Sequence, residues 1–138
     1  MILLDTNVVS EPLRITGDVG VIAWIDAQII ETLYLSAISL AELRFGLAAL
    51  PLGKRKDKLH TSLEQRILPL FAGRILPFDA SASEAYAALR ASARAQGRAI
   101  AAADGYIAAT AASHGLIVAT RDAGPFEAAG LKVINPWE

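Results

Sequence analysis

The feature that most constrains the fold is the apolar run at the start of the chain, which stops on a carboxylate. Residues 2–4 read Ile-Leu-Leu and are followed directly by Asp5. A run this short, next to turn-forming residues, is typical of a buried strand. Asp5 then lies at the carboxyl end of that strand, the edge at which parallel sheets bind ligands. The same position suits a helix N-cap, so this stretch leaves both a structural and a chemical role open for Asp5.

Short apolar segments alternate with longer helical patterns along the rest of the chain. The segments 33–35, 74–79, 116–119 and 131–134 predict strands, and the segments 19–29, 37–50, 54–68, 81–95 and 100–114 predict helices, after a short helical turn at 7–11. These spacings are too long for hairpins and favour a parallel sheet with helices on both faces. We therefore predict one α/β domain over residues 1–138, a three-layer α/β/α sandwich with a mainly parallel sheet whose first strand is central.

Cysteine is absent from the 138 residues, and the formal net charge is -1. Disulfides, a thiolate nucleophile and a zinc-thiolate site are therefore excluded, and a reducing compartment is compatible with the chain. A net charge near zero gives no overall field for a polyanion, so any nucleic-acid contact has to be local. The one dense basic run, Lys54 to Lys58, fits either a solvated helix face or a contact to an RNA backbone.

Targeting and membrane segments are not expected. The apolar run at residue 2 has no basic region before it and contains Asp5, unlike a secretory leader. The most apolar later window, residues 100–112, is interrupted by Asp104 and is shorter than the roughly 20 residues of a membrane span. We expect a cytoplasmic protein without a membrane partner.

Four carboxylates share a setting that the other acidic residues lack. Asp5 and Asp122 follow predicted strands, whereas Glu42 and Asp104 lie within apolar helical turns. Like charges brought together raise one another's pKa, so such a cluster calls for a cation between its members. Oxygen ligands favour Mg²⁺ or Mn²⁺ over zinc. An ion of this kind activates water and neutralises a phosphoryl group, which predicts hydrolysis of a phosphate ester.

Helix capping offers a structural alternative for two of the glutamates. Residues 39–42 (Ser-Leu-Ala-Glu) and 81–84 (Ser-Ala-Ser-Glu) both match the capping-box pattern. We assign Glu84 to such a cap. For Glu42 the competing cap is Ser36, directly after the predicted strand, and that choice places Glu42 inside the helix.

Four blocks of sequence, in this order, resemble the PIN-domain ribonucleases of the VapC toxin type. They are Leu-Leu-Asp-Thr-Asn at 3–7, Ala-Ile-Ser-Leu-Ala-Glu-Leu at 37–43, Ala-Asp-Gly-Tyr-Ile-Ala-Ala at 103–109 and Ala-Thr-Arg-Asp at 119–122. Residues 64–74 and the Asn-Pro-Trp at 135–137 are most similar to the FitB-like branch of that family. The resemblance spans essentially the whole chain and implies a PIN-like fold.

The resemblance also implies an activity and its residues. It implies a metal-dependent endoribonuclease, the toxin of a toxin-antitoxin pair, with Asp5, Glu42, Asp104 and Asp122 as the acidic quartet. Asp5, Asp104 and Asp122 would hold Mg²⁺ or Mn²⁺. Asn7 and Thr120 match polar positions that support the quartet, although Asn7 could equally cap a helix.

The partners implied by the resemblance are RNA as substrate, a second copy in a homodimer, and an antitoxin that blocks the site. DNA would be bound only through the antitoxin. A haloacid-dehalogenase-like phosphatase also begins with an aspartate after a strand, but it expects a second aspartate where this chain has Asn7. A catalytically silent module that binds an antitoxin within a DNA-bound regulatory complex is the remaining alternative, and the intact quartet argues against it.

Overall fold

The computed structural model describes all residues, 1–138, and contains a five-stranded, wholly parallel sheet. The strands are β1 (Ile2–Leu4), β2 (Leu33–Ser36), β3 (Ile75–Leu76), β4 (Ile117–Ala119) and β5 (Val133–Ile134). Their order across the sheet is β3-β2-β1-β4-β5. The predicted central position of the first strand is confirmed.

Seven α-helices connect the strands. They are α1 (Thr6–Val9), α2 (Val19–Ala27), α3 (Ala37–Ala48), α4 (Lys54–Ser62), α5 (Ala80–Ala95), α6 (Ala102–Ser113) and α7 (Ala123–Ala128). Four shorter helical segments supplement them, at Glu11–Leu13, Ile30–Thr32, Leu63–Ile67 and Leu68–Phe71. None of the helices has both the length and the hydropathy needed to cross a bilayer.

The helices cover both faces of the sheet, as the three-layer prediction requires. Neighbouring residues of a strand point to opposite faces, and Leu3 and Leu4 of β1 belong to different buried clusters. Leu3 packs with Ile107 of α6 and Phe126 of α7. Leu4 packs in the cluster that contains residues of α1, α2 and α3. The central strand is thus buried on both sides and holds Asp5 at a fixed point between the two layers.

Three local predictions differ from the structure. The helix expected over 54–68 is regular only to Ser62 and then continues as a π turn and a 3-10 turn. Pro69 lies in the first positions of the 3-10 turn, where a residue without a backbone N–H is tolerated. The capping box at Glu84 is wrong, since Asp79 caps α5 by accepting from the backbone N–H of Ala82 at 2.9 Å. Helix α7 was not predicted, because its Gly124-Pro125 pair resembles a loop.

Candidate active site

Asp5 follows β1 and is held on both of its carboxylate oxygens. Its Oδ1 accepts from the backbone N–H of Thr6 at 2.8 Å, and its Oδ2 accepts from the hydroxyl of Thr120 at 2.8 Å. The residue is 6% exposed. The structural role considered for Asp5 is confirmed, because its side chain caps α1, and the residue also stands at the carboxyl edge of the sheet as predicted.

The hydroxyl of Thr120, which follows β4 and is fully buried, connects two segments of the site. It donates to Asp5 Oδ2 and accepts from the backbone N–H of Asp122 at 3.0 Å and from Asn7 Nδ2 at 3.4 Å. Asn7 lies inside α1, so it is not the cap of that helix. Its Oδ1 accepts from the backbone N–H of Arg121 at 3.3 Å. The two predicted supporting residues thus link the loop after β4 to the loop after β1.

Glu42 reaches the site from α3 and is held by Thr6. The hydroxyl of Thr6 lies 2.9 Å from Glu42 Oε1 and 2.9 Å from Ser39 Oγ. A hydroxyl carries one proton and a carboxylate is the stronger acceptor, so Thr6 donates to Glu42 and accepts from Ser39. Ser36 caps α3 through the backbone N–H of Ser39, which excludes the capping box for Glu42. Glu42 is exposed, in contrast to the apolar setting that its neighbours in sequence suggested.

Asp104 stands in the first turn of α6, and neighbouring residues fix where that turn lies. Arg90 of α5 donates from Nε and Nη2 to the carbonyl of Ile100 at 3.1 and 2.9 Å, just before the helix. Gly105 allows close packing, since a Cβ at that position would lie 3.0 Å from Arg90 Cδ. The carboxylate of Asp104 is only half-buried and its helix is fixed by α5.

Asp122 occupies the cap position of α7 without bonding to its backbone. The residue is exposed, and its own backbone N–H is tied to Thr120. The side chain is therefore positioned by its backbone and stays free for other contacts.

The charges of the four carboxylates act on one another. Burial raises the pKa of Asp5, the hydrogen bonds from Thr120 and Thr6 lower it, and the charges of Asp104 and Glu42 raise it again, so that the balance is a raised pKa. Partial burial raises the pKa of Asp104, and the charges of Asp122 and Glu42 raise it further. Four segments distant in sequence therefore share one electrostatic neighbourhood at the carboxyl edge of the sheet.

No cationic side chain neutralises this cluster. The two ion pairs of the chain join Arg14 to Glu11 and Arg44 to Glu64, and neither involves the quartet. An all-oxygen, uncompensated set of carboxylates is the donor chemistry that a hard divalent cation requires. No three of these side chains are arranged as a complete ligand set. A Mg²⁺ ion at this edge would be held by one or two carboxylates, with water completing its coordination.

Sequence reasoning missed the polar residues that support the quartet from below. Thr6, Ser36 and Ser39 form a chain of hydroxyls beneath Glu42, and Ser36 and Ser39 are fully buried. A serine after a strand predicts a helix cap. Only the packing of α1 against α3 shows that Ser36 is also connected to Glu42 through hydroxyl hydrogen bonds.

Comparisons with known proteins show the family to which the chain belongs. The family model of the PIN domain matches residues 2–131. The chain is 63% identical over 138 residues to the VapC ribonuclease Y4jK of Sinorhizobium fredii, covering 100% of this chain and 99% of that protein. It is 61% identical over 137 residues to the toxin FitB of Neisseria gonorrhoeae, with 99% of each chain covered.

The fold has a close counterpart among solved structures. A structure of FitAB bound to an IR36 DNA fragment contains a chain that is 59% identical and superimposes with a TM-score of 0.97, covering 100% of this chain and 96% of that chain. A family match over nearly all residues, together with full-length relatives at this identity, establishes the relationship. The chain belongs to the PIN-domain family.

Proposed function

We propose that this protein is the toxin of a toxin-antitoxin pair and a divalent-metal-dependent endoribonuclease that hydrolyses RNA phosphodiester bonds. The single observation that carries the proposal is the gathering of Asp5, Glu42, Asp104 and Asp122 at one edge of the sheet without a cationic partner. The names of the relatives support it, since one is a VapC ribonuclease and another is a toxin.

Asp5, Asp104 and Asp122 are the residues that would hold Mg²⁺ or Mn²⁺, one or two of them directly and the rest through bound water. A bound ion of this kind neutralises charge on the phosphoryl group and lowers the pKa of a coordinated water. Asp5 is the fixed member, because both of its oxygens are held by hydrogen bonds. Ligands oriented in this way by neighbouring groups bind metal more tightly than mobile ones.

Glu42 is placed to orient or deprotonate the attacking water. One of its oxygens accepts from the hydroxyl of Thr6, which fixes the side chain. The other oxygen has no hydrogen-bond partner within the chain and faces solvent, so it can accept a proton from water. Thr6 and Ser39 position Glu42 and do not themselves take part in the chemistry.

The partners follow from the relatives. A FitAB complex has been solved with DNA, and we propose by analogy that this chain binds a cognate antitoxin and reaches DNA only through it. We also propose that the chain forms a homodimer in the cytoplasm. Purification with the product of the neighbouring open reading frame, followed by mass measurement in solution, tests both assemblies.

The activity is tested by incubating RNA with the purified protein and Mg²⁺ or Mn²⁺. Cleavage by the wild type and its loss in Asp5→Asn and Asp104→Asn are expected. Asp26→Asn is the matched control, since it makes the same change at an exposed position of α2 outside the site. Equal cleavage by wild type and Asp5→Asn would refute the proposed function.

Calorimetric titration with Mn²⁺ separates this enzyme from a silent binding module. We expect the wild type and Asp26→Asn to take up the ion alike, and Asp104→Asn to bind it more weakly. A protein that takes up no Mn²⁺ would favour a module that only binds an antitoxin.

A further inference from the structure

A row of adjoining hollows leads away from the candidate active site along one side of α4. The first, of about 580 Å³, is lined by six hydrophobic residues, five of them leucines, and by Arg14, Arg55 and Glu42 among its other residues. The second, of about 290 Å³, shares both arginines and adds Lys58 and Arg66. A third, of about 250 Å³, shares Lys58 and Arg66 with the second. We call the surface formed by Arg14, Arg55, Lys58 and Arg66 the basic trough.

The cations of the basic trough are largely free of counter-charges. Arg55, Lys58 and Arg66 are exposed and form no ion pair. Arg14 has one acidic partner, with its Nη1 atom 3.4 Å from an oxygen of Glu11. Apart from Glu42 at the active-site end, Asp57 at the far end is the one acidic residue among the lining side chains.

The other side of α4 differs in the contacts that its charged residues make. The hollow on that side is lined by Lys56, His60, Glu64 and Arg44 among others. Arg44 Nε lies 3.0 Å from Glu64 Oε1, and Lys56 Nζ donates to the carbonyl of Ala48 at 3.1 Å. On this side Arg44 and Lys56 are engaged by neighbouring groups, whereas Arg55, Lys58 and Arg66 make no side-chain hydrogen bond or ion pair.

The spacing of these cations fits an extended ligand. Arg55, Lys58 and Ser62 lie on the same face of α4, and Arg66 follows in the π turn and lines the same hollow. From Arg55 to Ser62 the helix advances by roughly 10 Å and Arg66 lies beyond it, so the row is longer than a single anion. A row of unpaired arginines and lysines is the feature that binds successive phosphates, and arginine can hold a phosphate through two hydrogen bonds.

We propose that the basic trough binds the sugar-phosphate backbone of single-stranded RNA and leads it to the Glu42 end of the site. The proposal rests on the ribonuclease function and adds the path of the substrate. It also explains how a chain with a net charge of -1 can bind a polyanion, because the positive charge is local. A single strand is favoured over a duplex because an open groove lined by cations follows one backbone.

The test is a binding measurement that does not depend on cleavage. Fluorescence anisotropy with a labelled, mixed-sequence single-stranded RNA is recorded in a chelator over a range of salt concentrations. The trough variant carries Arg55→Gln, Lys58→Gln and Arg66→Gln. The matched control carries Lys54→Gln, Arg98→Gln and Lys132→Gln, which remove the same charge at exposed positions outside the trough.

We expect the trough variant to bind RNA about tenfold more weakly than the control at low salt. Each lost phosphate contact lowers the slope of log affinity against log salt by about 0.7 for single strands, so the slope should fall by about 2. Circular dichroism and thermal melts of both variants show whether the fold is kept.

Equal affinities and equal slopes for the two triple variants overturn the proposal, as does absence of RNA binding by the wild type. Unchanged RNA binding together with lost binding of the antitoxin also overturns it and makes the trough a protein-binding surface. These failures are distinct from failure of the ribonuclease function, which the cleavage assay decides by comparing the wild type with Asp5→Asn.

Discussion

Replacing Thr120 by valine isolates the contact that holds the site together. The hydroxyl of Thr120 donates to the buried carboxylate of Asp5 and accepts from the backbone N–H of Asp122. A hydrogen bond to a charged group contributes about 1.5–3 kcal/mol and a neutral one about 0.5–1.5 kcal/mol. The contact from Asn7, at 3.4 Å, is long and adds little. We expect Thr120→Val to lower the free energy of unfolding at neutral pH by roughly 2–4 kcal/mol.

This loss should depend on pH in a defined direction. The pKa of Asp5 is already raised in the folded protein, above the ordinary value of 3.8. A carboxyl whose pKa is higher in the folded than in the unfolded protein stabilises the fold at a pH below its pKa in the unfolded protein. This stability is lost as the pH rises through its pKa in the folded protein. Thr120 is the hydrogen-bond donor that lowers the pKa of Asp5, so its removal raises that pKa further. The cost of the substitution must therefore grow from acidic to neutral pH.

Thr110 provides a matched control for this prediction. It is also fully buried, but its hydroxyl donates to the backbone carbonyl of Tyr106 at 2.8 Å and contacts no carboxylate. Urea unfolding of wild type, Thr120→Val and Thr110→Val at pH 4 and pH 7, in a chelator, gives the three free energies. We expect about 1 kcal/mol or less for Thr110→Val, without a pH trend. A Thr120→Val cost that is equal at both pH values, or no larger than that of Thr110→Val, would refute the reasoning.

Three further predictions concern single side chains. Asp104→Asn should raise the melting temperature of the protein in a chelator at pH 7, since burial and the charges of its acidic neighbours raise the pKa of the wild-type carboxyl. The gain should vanish at pH 3, where the wild-type group is protonated, and a lower melting temperature at pH 7 would contradict the prediction. Arg90→Met should cost about 1–3 kcal/mol in urea unfolding, because the carbonyl of Ile100 loses both of its guanidinium donors. Gly17→Ala should lower the free energy of unfolding by about 1–3 kcal/mol, because its Cβ would lie 2.5 Å from a backbone oxygen. Gly46→Ala, in α3 with open space around it, should raise that free energy by about 0.5–1 kcal/mol, as measured by thermal melting.

Much of the architecture follows from local pattern. Apolar runs of three or four residues between turn-forming residues identify the strands, and their wide separation requires crossover helices. Boundaries were less predictable, because capping depends on which of two polar residues the backbone uses. Asp79 caps α5 where the pattern favoured Ser81 and Glu84, and Gly124-Pro125 concealed a real helix in α7.

The sequence by itself determined the fold class, because short apolar runs are spaced too widely for hairpins, and the order of four motifs predicted the members of the acidic quartet. Only the tertiary structure decided how the quartet is held. The hydroxyls of Thr6 and Ser39 beneath Glu42, and the contacts of Thr120 with Asp5 and Asn7, join residues that are 33 or more positions apart. It also decided which cations stay without contacts, because α3 supplies the carbonyl of Ala48 to Lys56 and the guanidinium of Arg44 to Glu64 on one side of α4 only. Local pattern cannot carry this information, since hydrogen bonds and charge pairing between distant segments depend on how the layers pack.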